Sequence, residues 1–361
     1  MSNPVAANSP RNKQPFLIDA ITDLARKLGP GMKFPTTQEL SRQLGVTIST
    51  LDRSLTTLES RGVIVRRQGS GIYVSECPVR KTIALVFGVN IFEAGISPIY
   101  SILLNHCEKR SASLPERFSI FLGSASLSGS RRSLLHHDLD EAINNGKLDG
   151  LLLFGKESGR QEDALRERGV PMAALTVHSK WPGVVCHDSK KLIREAIKAL
   201  REGGCKSIGF LGALPEQTNY FLKAMRLVGM PVNDRWVFSP NPNDEAFCFH
   251  QGLFERERYG NQWASQIISG KDRPDGMIST DDMITRGACP VFEGNKFRVG
   301  KHFLFATHAN IGSLVLVEWS SELIQFAFDP QETVDAMFAA LEAHMNGNPQ
   351  PKHLLIAPHR C

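Results

Sequence analysis

This 361-residue chain lacks the signatures of several common functional classes. No apolar run reaches the roughly 20 residues that a membrane-crossing helix requires. The opening stretch MSNPVAANSPRNKQP has no apolar core of the kind that export signals carry, which points to a cytoplasmic protein. The seven cysteines (Cys77, Cys107, Cys186, Cys205, Cys248, Cys289 and Cys361) include no Cys-x-x-Cys pair and no regular framework. That usage fits reduced thiols and argues against a disulfide scaffold or a structural zinc site. No Walker loop is present, and the short Gly69-Ser70-Gly71 cannot cradle a phosphate by itself. His187-Asp188 is unaccompanied by a serine or cysteine nucleophile motif, and His136-His137 beside Asp138 reads as a solvated helix face. These absences exclude the commonest enzymes, so no catalytic residue, metal or cofactor is assigned.

Charge of one sign is also scarce, except at one end. Residues 11–75 hold ten Lys or Arg (Arg11, Lys13, Arg26, Lys27, Lys33, Arg42, Arg53, Arg61, Arg66, Arg67) against five acids (Asp19, Asp23, Glu39, Asp52, Glu59). The excess of five equals the net charge of the whole chain, so the remainder is balanced. A small basic module on a neutral body suits a polyanion partner.

The basic module has a readable pattern. Apolar residues recur at three- and four-residue steps from Phe16 to Leu28, which predicts an amphipathic helix closed by Gly29-Pro30-Gly31. In PTTQELSRQLG, Thr36 or Thr37 caps a short helix that buries Leu40 and Leu44 before Gly45. In VTISTLDRSLTTLESRG, Thr47 caps a helix burying Leu51, Leu55 and Leu58, and Gly62 ends it. Two short helices around a glycine turn form a helix-turn-helix, and the second is the one offered to a major groove. VIVRRQGSGIYVS then reads as strand, glycine turn, strand: a wing with Arg66, Arg67 and Gln68 at its tip, where Gly69 and Gly71 permit close approach to a backbone.

The stretch Gly31 to Val74 resembles the GntR-family winged helix in its PTTQEL helix, its LGV-T-x-ST-L recognition start, and its wing at matching spacing. The resemblance implies a double-stranded DNA partner. That family carries arginines at the positions of Gln38, Ile48 and Asp52, so an altered sequence preference is implied. Thr47, Ser49 and Thr50 remain able to bond phosphates, Gln38 or Gln68 to read adenine, and Arg53 to stand in for the neighbouring arginine. With Arg66, Arg67 and Gly69 these are the expected DNA contacts.

After a short link the chain alternates strand and helix. Apolar runs such as TIALVFGV (Thr82–Val89), LDGLLLFG (Leu148–Gly155) and VPMAALTV are separated by helices at Ile99–Ser111, Arg131–Asn145 and Gln161–Arg168. The pattern restarts with VVCHDS, a helix Lys190–Glu202, SIGFLGA, NYFLKAMRLVGM, RWVFSP, a helix Asn261–Ser269, PDGMISTDD, HFLFATHAN and LIQFAFD before a helix Pro330–Met345. Buried strands with helices between them indicate two doubly wound parallel halves, with ligands taken at the strands' carboxyl ends.

LDGLLLFG, VVCHDSKKLIREAIKALREGGCKSIGFLG and RPDGMISTDDMITRGA resemble the effector domain of LacI/GalR repressors over roughly Thr82 to Arg360, and the combination with a GntR head resembles the arabinose-repressor subgroup. The fold class is therefore α/β: an N-terminal winged helix-turn-helix plus a two-lobed, periplasmic-binding-protein-like domain of parallel sheets flanked by helices. Residues 1–13 are a disordered tail, 14–76 the winged head, 77–81 a linker, and 82–361 the effector-binding and dimerisation domain. The resemblance implies a homodimeric repressor with a small, carbohydrate-like effector, touched by Asn90, Phe92, His187, Asp188, Gln217, Asp281, Asp282 and His308. Asp282 is the leading acid, and Asp188 could serve simply as a helix cap. The family's arginine falls near Gln217, its glycine at Tyr220, and its Gly-Phe-Asp at Ala306-Thr307-His308, departures that point away from a common neutral sugar. Competing readings are a solute-binding protein, a regulator without effector response, and a GntR head on an aminotransferase. The last needs a cofactor lysine in a large-domain fold, for which the repeated lobes leave little chain.

Overall fold

The computed structural model describes residues 13–60, 62–76, 81–88, 90–92, 96–113, 116–123, 137–155, 165–176, 181–240, 254–350 and 352–361. The tail up to residue 12, Arg61, linker residues 77–80, His136, Cys77, Cys248 and the first parts of the helices expected at 131–145 and 161–168 lie outside the described residues.

The head is built from α1 (Lys13–Leu28), α2 (Thr37–Leu44), α3 (Ile48–Ser60) and the antiparallel hairpin β1 (Ile64–Arg67) and β2 (Gly71–Val74). Thr36 caps α2 in a capping box: its hydroxyl accepts from Glu39 N at 3.3 Å, while Glu39 accepts from Thr36 N at 2.8 Å. Gly45 ends α2 at φ 63°, the left-handed turn that sets the angle between α2 and α3. Thr47 accepts from Thr50 N at 3.3 Å at the start of α3, so both expected caps are in place. The apolar stripes Ile18, Ile21 and Ala25 of α1, Leu40 of α2 and Leu51, Leu55 and Leu58 of α3 meet Phe34, Val63, Ile64, Ile72 and Val74 in one core. Residues 31–34 flank the hairpin as a further strand-like segment, with Phe34 N donating to Ile72 O at 2.8 Å.

Among the described residues the body holds two six-stranded sheets. The first runs β13 (His353–Ile356), β7 (Val184–His187), β6 (Met172–Leu175), β5 (Gly150–Phe154), β3 (Lys81–Phe87), β4 (Glu116–Leu122). The second runs β14 (His359–Arg360), β12 (Leu323–Phe328), β11 (Leu304–Asn310), β10 (Gly276–Ser279), β8 (Ile208–Leu211), β9 (Val237–Phe238). Pairings β10–β11, β8–β10, β11–β12, β7–β13, β5–β6, β6–β7 and β8–β9 are parallel, and β12 pairs β14 antiparallel. Strands β5 and β8 are buried along their whole length, as continuous apolar runs in a doubly covered sheet should be. The described helices are α4 (Ile99–Ser113), α5 (His137–Asn144), α6 (Ser189–Glu202), α7 (Pro215–Leu227), α8 (Phe254–Ser269), α9 (Asp282–Gly294) and α10 (Pro330–Met345).

Two differences from the sequence reading matter for the site. Helix α7 starts at Pro215 rather than Asn219, because proline's fixed φ suits a first helical turn. Helix α8 starts at Phe254, seven residues before the expected Asn261. Gly260 lies mid-helix, where a Cβ would stand 1.9 Å from Ile284 O of α9. Gly287 of α9 returns the relation, a Cβ there meeting Glu257 O at 1.9 Å. Both glycines permit close backbone approach of two helices and end neither.

Candidate functional site

In the head, Gln38, Thr47, Ser49 and Arg53 are exposed and Thr50 half-buried, so the start of α3 offers hydroxyls and a cation outward and the start of α2 an amide. Arg53 makes no ion pair among the described residues. On the wing, Gln68 and Gly69 occupy the turn, with Gly69 at φ 72°. Arg67 points outward over the Tyr73 ring at 4.7 Å, with Lys33 at 5.8 Å on the same ring, and its pairing with Glu76 at 3.3 Å is half-exposed. Arg66 departs from its expected place at the wing tip. It shares the inward face of β1 with Ile64 and turns back onto α3, its Nη1 lying 3.0 Å from Asp52 Oδ1 and its Nε 3.4 Å from Glu59 Oε2.

In the body, the expected effector contacts divide. Asp188 caps α6, accepting from Lys191 N at 2.9 Å. Gln217 is 5% exposed, and its bonding capacity is spent internally. Its Oε1 accepts from Ala213 N, Leu214 N and Thr280 Oγ1, and its Nε2 donates to Ser189 Oγ. These two residues organise the strand ends and offer little to a ligand in this arrangement. Asn90 accepts from Phe92 N at 3.1 Å, and Phe92 is 77% exposed.

The remaining four gather. Asp281 caps α9, with Met283 N and Ile284 N both 3.0 Å from its Oδ1, and its Oδ2 takes an ion pair from Arg256 of α8. Asp282 is buried and accepts from Asn310 Nδ2 at 3.0 Å. Burial, then the neighbouring Asp281 charge, push the Asp282 carboxyl up to about 7. His187, at the end of β7, stacks on Phe328 at 4.2 Å and lies 6.0 Å from His308, at the carboxyl end of β11. Burial lowers His187 to about 3 and His308 to about 4, so both rings are neutral at physiological pH. His308 Nδ1 and Asn310 Oδ1 are buried with no hydrogen-bond partner among the described residues. Unfilled polar atoms beside a buried acid are what a ligand's hydroxyls satisfy.

Three members of this group were missed in the sequence. Arg256 lies in the F-E-R-E-R run, which precedes the helix start expected at Asn261. Asn310 ends the same strand as His308, two residues on and therefore on the same face. Tyr100 of α4 is buried enough to raise its phenol above the usual range, and it feels both Arg256 and Asp281. A Cβ on Gly155 would stand 3.6 Å from its hydroxyl. Tyr100 thus brings the first sheet's helix to the acid pair of the second. Among the described residues no helix is long and apolar enough to cross a membrane.

Residues 20–74 match the family of bacterial regulatory proteins, gntR family. The N-terminal head is a GntR-family winged helix. The chain is 30% identical over 79 residues to the HTH-type transcriptional regulator SmoD of Agrobacterium fabrum (strain C58 / ATCC 33970), a match covering 22% of this chain and 34% of that regulator. The match therefore spans about a third of the curated relative's length. The body's fold is that of LacI-family structures. A transcriptional regulator CelR–cellobiose complex superimposes with TM-score 0.62 at 17% identity, over 91% of this chain and 98% of that one. A regulatory protein of the LacI family from Chloroflexus aggregans gives TM-score 0.62 at 15% identity, over 77% of this chain and 96% of that one. The expectation of a GntR head on a body of LacI-type fold is met.

Proposed function

We propose that this chain is a cytoplasmic, homodimeric transcription repressor that binds operator DNA through its winged head and is controlled by a small polar, sugar-like effector in the body. One observation carries the reading: the outward polar and cationic face of the head is joined, in one chain, to strand ends that hold buried polar atoms with unfilled bonds. Thr47, Ser49, Thr50, Gln38 and Arg53 enter the major groove, while Arg67, Gln68 and Gly69 follow the adjacent backbone. Asp281, Asp282 and His308 hold the effector, with Arg256, Tyr100 and Asn310 completing the set and His187 and Phe92 supplying flat surface. An effector favouring one arrangement of the lobes shifts the spacing of the two heads, provided that its affinities for the DNA-competent and incompetent states differ.

The test is binding of the full chain to its own upstream intergenic DNA and to random duplex at two salt concentrations, with a panel of neutral and charged sugars added. Specific, salt-sensitive binding relieved or strengthened by one of the sugars supports the reading. Equal binding to both DNAs at every salt removes the operator. A second reading, a regulator without effector response, is favoured by Gln217 and Asp188 being spent on internal bonds. Absence of any sugar-induced rise in unfolding temperature, with specific DNA binding intact, would select it.

A further inference from the structure

Helix α3 carries two carboxylates, Asp52 and Glu59, seven residues apart, with Thr56 between them at the intermediate turn. Positions i, i+4 and i+7 share one helix face. On a helix offered to DNA, such acids repel phosphates unless they are countered. Arg66 occupies that stripe. Its Nη1 meets Asp52 Oδ1 at 3.0 Å, its Nη2 donates to Asp52 O at 3.1 Å and Thr56 Oγ1 at 3.2 Å, and its backbone N donates to Glu59 Oε1 at 3.2 Å. The side chain is 33% exposed, against 53% for the neighbouring Arg67. A single exposed ion pair orders little, but three acceptors on the guanidinium, with the Glu59 carboxylate 3.4 Å from its Nε and bonded to the Arg66 backbone N, hold the planar group in one place.

We propose that Asp52 and Glu59 form a clasp that withholds Arg66 from DNA phosphate and thereby positions the wing. Asp52 is a positioning and specificity-determining residue of the head. The cluster combines two carboxylates with one guanidinium, so it presents a net negative charge to an approaching duplex. Non-specific binding, which rests on phosphate neutralisation, loses the contribution of one cation. The ordered wing keeps Arg67 and Gln68 at a fixed offset from Thr47 and Ser49, so base-reading and backbone contacts are made in one register. This inference rests on the DNA-binding reading of the head and adds which of its cations do not bind phosphate.

The experiment measures affinity of the full chain for a random-sequence 30-base-pair duplex across a salt series, for the wild type, Asp52→Asn, Arg66→Ala and the double variant. Each phosphate contact contributes about 0.9 to the slope of log affinity against log salt. Asp52→Asn is expected to steepen the slope by about 0.9 and raise affinity about eightfold at 0.1 M salt, as Arg66 is released to phosphate. Arg66→Ala alone leaves the slope unchanged, and in the double variant the gain disappears. Glu59→Gln loosens the clasp from the other end and moves the slope in the same direction. The proposal is overturned if Asp52→Asn and Glu59→Gln leave the slope unchanged, or if Arg66→Ala by itself flattens it. Persistence of the gain in the double variant overturns it too, since that gain is then simple loss of a negative charge. A wild-type chain that binds no duplex at any salt defeats the DNA reading beneath, a result distinct from all of these.

Discussion

The head and the body place polar side chains in opposite ways. In the head the core is apolar but for Ser54, whose hydroxyl donates back to Thr50 O, and Thr47, Ser49, Arg53 and Gln68 stand at the surface. In the body Gln217, Thr280, Asp281, Asp282, Thr285, Thr307 and Asn310 are buried at the ends of strands β8, β10 and β11. A surface read by a large, charged polymer needs flexible donors that water has already solvated. A pocket for a small polar molecule needs prearranged groups whose desolvation cost has been met by folding. The difference also appears in the electrostatics. Burial at the body's strand ends shifts Asp282 up to about 7 and His187 and His308 down to about 3 and 4, whereas Arg53 and Arg67 of the head stand at the surface.

This contrast can be broken most severely in the body's helix packing. Gly287→Ala pushes a methyl group into the Glu257 carbonyl and should destabilise the body by about 3 kcal/mol, near the upper end for overpacked cores. Denaturant unfolding checks this, and a change under about 1 kcal/mol would mean that α8 and α9 separate freely. The buried acid comes next. A carboxyl raised in the folded state contributes stability below its unfolded value, near 3.8, and loses it as pH rises through about 7. Asp282→Asn should therefore remove a decline in melting temperature between about pH 4 and 7. At pH 8 it should stabilise the body by at least about 1.4 kcal/mol, the equivalent of one pKa unit. The two histidines act with the opposite sign, their neutral forms favouring the fold above pH 6.5 and costing it stability as pH falls toward 4.

Head variants should show smaller effects of a different kind. Arg67→Ala should flatten the salt slope of duplex binding by about 0.9, roughly eightfold in affinity at 0.1 M salt, with little change in stability. Thr36→Ala removes the capping box of α2 and should cost the head about 1 kcal/mol, visible in hydrogen exchange of α2 amides.

The head was almost fully legible in the sequence, because each of its elements is bounded by local chemistry. Thr36, Gly45 and Thr47 fix helix ends, and Gly69 fixes the hairpin turn. Only the direction of Arg66 was hidden, since it depends on a helix side chain 14 residues away. In the body, the alternation of strand and helix was legible, but the closing strands were not. Nothing in HLLI or HR tells that β13 joins the first sheet beside β7 while β14 joins the second beside β12. The site was half legible. Asp281, Asp282 and His308 follow recognisable strands. Arg256 and Tyr100 reach the same place from helices whose approach is set by tertiary packing, and Arg256 lies in the first turn of a helix expected to start only at Asn261.

The decisive measurement is binding of the purified full chain to its own upstream DNA, against random duplex, with and without each sugar of the panel. The proposed repressor binds the upstream fragment more tightly than random duplex, loses affinity steeply with salt, and changes that affinity with one of the sugars. A chain that binds both duplexes alike at every salt, and ignores every sugar, contradicts ligand-controlled repression.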